Sequence, residues 1–108
     1  MRWPLWRVAV AEHSMEPALQ AGDWLLVWRG VRADRPPRIR PGDIVIARHP
    51  AEPGLLLVKR AVRRLPGGWW LGSDNTAAVA VDSSVFGPVP VELIMGRLMG
   101  RYRRARPR

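Results

Sequence analysis

Of the eighteen lysine and arginine residues in this chain, one alone is a lysine, Lys59. An arginine keeps its proton in any protein, whereas a buried lysine can lose it and then act as a base or nucleophile. Lys59 sits in the most apolar run of the sequence, Leu55–Leu56–Leu57–Val58–Lys59–Arg60–Ala61–Val62. A run of this kind reads as a buried strand. Alternation then puts Lys59 on one face with Leu55, Leu57 and Ala61, and turns Arg60 to the other with Leu56, Val58 and Val62. An ammonium among aliphatic neighbours is poorly solvated, and burial lowers a lysine pKa. Rarity alone assigns nothing, because an Arg-rich and Ala-rich composition also fits a genome that avoids lysine codons.

A base needs a nucleophile, and the candidate is Ser14, followed at once by Met15–Glu16–Pro17. A serine before a turn commonly serves as a cap or turn former. Its hydroxyl becomes reactive only when a neighbouring group takes its proton, and no Ser-His-Asp set is evident, so a neutral Lys59 amine is the best base available. His13 is adjacent, but in an extended chain its side chain points away from that of Ser14.

The elements that must position these residues are mostly strands. Arg7–Ala11 reads as a short strand leading to the Ser14 turn, and Gly22–Asp23 announces the strand Trp24–Trp28. Gly42–Asp43 repeats that signal before Ile44–Arg48, and Gly67–Gly68 turns the lysine strand into Trp69–Gly72. Ser73–Thr76 opens a loop that Asp82–Ser84 and Gly87–Pro88 close. Val91–Ile94 fits one helical turn and Met95–Met99 a last strand. The Gly30–Pro41 segment, with Pro36–Pro37 among arginines, reads as a surface loop. Strands with short connections and no βαβ alternation predict a mainly β sheet or barrel with short helical turns.

At 108 residues the chain predicts one domain over 1–108, with a core of about 8–100 and a basic tail, 101–108. The absence of cysteine excludes disulfides, thiolate chemistry and cysteine zinc sites, and His13 and His49 alone do not suggest a histidine-rich metal centre, so no metal and no cofactor are expected. Neither a signal-peptide core nor a spanning run is present, which predicts a soluble, cytoplasmic protein. The net charge of +9 leaves room for weak contact between the arginine tail and an anionic membrane surface. No helix-turn-helix, RNA-binding platform or zinc-finger spacing points to specific nucleic-acid binding.

Several segments, taken in order, resemble the boxes of the type I signal peptidase family, the Ser/Lys endopeptidases. They are Ser14–Leu19, Gly22–Val27, Gly42–Val45, Val58–Val62, and Gly72–Asn75 with Asp82–Ser83 and Phe86–Gly87. Within it the chain looks most like the soluble nickel-type superoxide dismutase maturation proteases of actinobacteria. The resemblance implies a signal-peptidase/LexA-like β fold, with Ser14 as nucleophile and Lys59 as general base. It also implies that the Ser14 backbone N–H is one oxyanion donor, with Met15 beside it. Asp74, Asn75, Asp82 and Ser83 would frame the site. The implied partner is a protein substrate, the N-terminal extension of a nickel superoxide dismutase precursor. We further expect Arg60 to pair with Asp82.

Three positions depart from the family pattern. Ala80 stands where typical members carry a serine that hydrogen-bonds the lysine, Ser84 where an arginine is frequent, and Glu12 where a hydroxyl can assist the oxyanion hole. Ser83 or a backbone carbonyl is then expected to orient Lys59. Two rival readings follow from the same residues: a low-activity or self-cleaving domain of the repressor type, and a basic module for nucleic acid or membrane surfaces.

Overall fold

The computed structural model describes residues 5–9, 15–16, 18–19, 22–29, 37–52, 54–75 and 82–103. Six strands form one antiparallel sheet: β1 (Leu5–Ala9), β2 (Trp24–Trp28), β3 (Ile44–Arg48), β4 (Leu56–Leu65), β5 (Gly68–Gly72) and β6 (Ile94–Arg103). Their spatial order is β1-β2-β6-β3-β4-β5, so the last strand returns to the centre between β2 and β3. A four-residue helix, α1 (Ser83–Phe86), and a 3-10 turn at Val91–Leu93 lie in the connection from β5 to β6. The protein is mainly β, as its strand-rich sequence predicts. Among the described residues no helix is long and apolar enough to cross a membrane.

Strands β2 and β3 show why these residues fold this way. In β2 the alternation is visible directly, with Leu25 and Val27 buried between half-buried Trp24, Leu26 and Trp28. In β3 the first four residues are all buried, because both faces of the sheet are covered there. Ile44 and Ile46 join Leu25 and Val27 in one core, on which Met15 and Leu19 pack. Val45 and Ala47 turn to a second core with Ala61, Trp69, Leu71, Val89 and Ile94. Gly96 of β6 permits close approach at the centre, since a Cβ there would stand 2.4 Å from Val27 Cγ1.

Several boundaries differ from expectation, and strand pairing explains the first two. Strand β1 begins at Leu5 because Leu5–Ala9 pairs in full with Trp28–Trp24. Strand β6 runs to Arg103, three residues into the expected basic tail, because Arg101 and Arg103 pair with Leu25 and Trp24. The segment read as closing a loop, Asp82–Ser84, starts α1 instead. The expected surface loop before β3 is anchored at its end, where Pro37 is buried and Ile39 packs on the second core.

Candidate active site

Lys59 occupies the middle of β4 and is fully buried. It stands opposite Val45 of β3, so it faces the second core, and Leu57 and Ala61 on its face are buried with it. On the other side of β4, Arg60 pairs with Gly72. One residue further along that ladder, Ser73 faces Lys59, and Lys59 Nζ donates to Ser73 Oγ at 3.1 Å. Ser73 Oγ in turn donates to Asp82 Oδ2 at 2.7 Å.

Asp82 is held in place by the helix it caps. Its Oδ1 accepts from Ser84 N at 2.9 Å and from Ser84 Oγ at 2.5 Å, the side-chain capping typical of aspartate at a helix start. Ser83 ties the same helix to β5 by accepting from Leu71 N at 2.8 Å. Burial alone would raise the Asp82 pKa, but hydrogen bonds from Ser84 and Ser73 outweigh it, and the carboxyl titrates below its ordinary range. An ionised Asp82 can only accept, so it claims the one proton of Ser73, and Ser73 must present a lone pair to Lys59. The direction of the chain Lys59→Ser73→Asp82 is thereby fixed.

Two expectations are corrected. Arg60 pairs with Asp74, not Asp82: its Nε reaches Oδ1 at 3.1 Å and its Nη2 reaches Oδ2 at 2.5 Å, while Nη1 donates to Gly42 O at 2.8 Å. The reason is parity, since Arg60 lies on the face opposite Lys59 and Asp82 lies with Lys59. The Asp74 carboxylate raises the Arg60 pKa further, against a smaller opposing effect of burial. Nor does Ser83 orient the lysine. A side-chain contact comes instead from Ser73, which lies in the Gly72–Asn75 box but is set against Lys59 by the register of the β4–β5 ladder. Ser84 is not merely a missing arginine, because it supplies two of the three hydrogen bonds to the Asp82 carboxylate.

The Met15 side chain lies in the first core, and Leu19 N donates to Met15 O at 2.9 Å, in keeping with the turn expected after Ser14. Asn75 is half-buried just beyond Asp74. Ser14, Glu12, His13 and Ala80 fall outside the described residues. His49 is structural: its Nδ1 accepts from Ala51 N and Glu52 N, and its ring meets Phe86 edge-on at 5.1 Å. Among the described residues no three His, Asp or Glu side chains converge as a metal site requires.

Fold and site together define a mainly β protein with a buried amine hydrogen-bonded through a serine to a carboxylate. The chain belongs to the signal peptidase family, peptidase S26, whose sequence model matches residues 4–68. The match takes in Ser14 and Lys59 and stops short of Ser73, Asp74 and Asp82. Membership makes the protein a serine endopeptidase of the signal peptidase type, acting on proteins or peptides. No curated protein matches the chain.

Proposed function

We propose that Ser14 and Lys59 form a Ser/Lys dyad that removes an N-terminal extension from a protein precursor. The observation that carries this reading is the fully buried Lys59 amine, held by Ser73 at 3.1 Å. Burial disfavours the ammonium. The neutral amine, donating one N–H to Ser73, keeps its lone pair for the proton of Ser14. Ser14 Oγ then attacks the scissile carbonyl as that proton passes to Lys59 Nζ, and the Ser14 backbone N–H donates to the oxyanion. Collapse of the tetrahedral intermediate transfers the proton from Nζ to the leaving amine and leaves an acyl-serine. Lys59 next takes a proton from water, whose oxygen attacks the ester, and returns it to Ser14 Oγ as the acid product leaves.

The substrate we favour is the precursor of nickel superoxide dismutase, a choice resting on the resemblance of the boxes to its maturation proteases. Incubation with a peptide spanning that precursor's cleavage junction tests it, beside Ser14→Ala and Lys59→Ala. Cleavage by the parent chain alone is the expected result. Equal cleavage by all three removes the dyad, and a parent that cleaves other peptides but spares this one removes the substrate.

A further inference from the structure

We infer that the cleft formed by Arg38, Arg40 and Arg97 beside Asp43 is a subsite for an acidic side chain of the peptide substrate, an inference that rests on the endopeptidase reading above for the word substrate. The cleft encloses about 220 Å³ and these four residues line it. Three guanidinium groups share it with a single carboxylate, and Asp43 is already committed: its Oδ2 accepts from Arg40 N at 2.8 Å, closing the turn before β3. The nearby Arg60 is occupied by Asp74. Among the described residues the guanidiniums of Arg38, Arg40 and Arg97 have neither an ion pair nor a hydrogen bond. Like charges gathered in a concavity repel one another, and an incoming carboxylate relieves that repulsion while accepting the paired N–H groups that a guanidinium offers.

The position of the cleft ties it to the candidate active site. Arg97 stands opposite Val45, and Val45 stands opposite Lys59, so the three form one row across β6, β3 and β4 on a single face. Neighbouring strands lie about 4.8 Å apart, which puts the Arg97 backbone about 10 Å from that of Lys59, or about three residues of extended peptide. Ile39, between Arg38 and Arg40, packs on the core that faces the same way and so holds the arginine-bearing segment there. An acidic residue within about four positions of the cut bond fits this spacing. A nucleic-acid strand calls for a basic track running along its backbone, whereas these arginines converge on one concavity.

Binding to the full chain tests this without depending on turnover. The probes are two blocked pentapeptides, Ala-Ala-Glu-Ala-Ala and Ala-Ala-Gln-Ala-Ala, and a single-stranded thymidine oligonucleotide, titrated by NMR. The glutamate peptide is expected to bind at least five-fold more tightly than the glutamine peptide. Arg97→Gln, and separately Arg38→Gln with Arg40→Gln, abolish that preference, while Lys59→Met retains it. Equal binding of the two peptides overturns the proposal, as does a preference that survives both arginine variants. An oligonucleotide that displaces the glutamate peptide at a tenfold lower concentration makes the cleft a nucleic-acid site and overturns it too. Cleavage is followed in the same samples: a Lys59→Met chain that still cleaves removes the dyad, whereas a glutamate preference in that chain still supports the cleft.

Discussion

Lys59 and Ser73 face each other across β4 and β5 because Val62 is an extra residue in β4. The ladder pairs Arg63 with Trp70 and Ala61 with Leu71, which leaves Val62 bulged out between them and exposed. A bulge of this kind shifts every later pair by one and exchanges the faces they present. It thereby brings a serine, and not an aspartate, against the buried amine.

Ser73→Ala removes a side chain that holds Lys59 and relays to Asp82. Losing a hydrogen bond to a buried polar group costs about 1–3 kcal/mol, so kcat is expected to fall by roughly 10- to 100-fold while the fold survives. Because Ser73 acts through Lys59, the ascending limb of the pH–rate profile should move as well, and Ser73→Thr, which keeps the hydroxyl, should recover most of the rate. A fall in kcat with an unmoved limb and no recovery by threonine would show a merely structural role.

Asp82 makes a prediction in pH. Its folded pKa is lowered, so the stability it contributes is fully present above the unfolded carboxylate value, near 3.9, and is lost as pH falls through the folded value. Asp82→Asn should therefore be less stable than the parent near pH 6, by about 1–3 kcal/mol for hydrogen bonds to a charged group. The gap should narrow as pH falls below about 3.9 and through the lowered folded value of Asp82. Urea midpoints across that range read it directly, and a gap independent of pH would contradict the assignment.

Arg60 acts on the other face, clamping Asp74 after β5 to the Gly42 turn before β3. Its side chain is 32% exposed and that of Asp74 23%, so screening by water limits the pair. We expect Arg60→Ala to cost about 1 kcal/mol, and Arg60→Lys to recover little of it, because an ammonium cannot reproduce the two-pronged contact. Raising salt to 1 M should shrink the difference. A full rescue by lysine would mean that charge, and not the fork, is what matters.

How far the sequence leads is clearest at these residues. Trp24–Trp28 and Ile44–Arg48 are read with the bounds the structure gives them, because each is an apolar run introduced by a Gly-Asp turn. The burial of Lys59 and the opposite facing of Arg60 follow equally from alternation. Ser73 does not. An unbroken hairpin from the Leu65–Gly68 pair would set Lys59 against Asp74 and Arg60 against Ser73. Only the bulge reverses this, and nothing in the apolar pattern marks Val62 as the extra residue. Helix α1 escapes because four residues are too few to show a helical period, and with it goes the capping role of Ser84.

The burial of Lys59 itself yields the last prediction. An amine in a sheet interior gives up its hydration and recovers only part of it through Ser73, so on stability alone an apolar side chain of similar length should do as well or better. Lys59→Met should therefore match or exceed the parent in thermal stability while losing peptide cleavage by at least about 10³-fold, the trade expected of a residue kept for chemistry. Asp82 sets the limit on the gain, because Ser73 must find a new partner for its freed lone pair. Thermal unfolding and cleavage measured on the same preparation decide the matter. A chain that loses several degrees of Tm along with its activity would make Lys59 a structural residue, and the inactivity of the variant would then say nothing about a base.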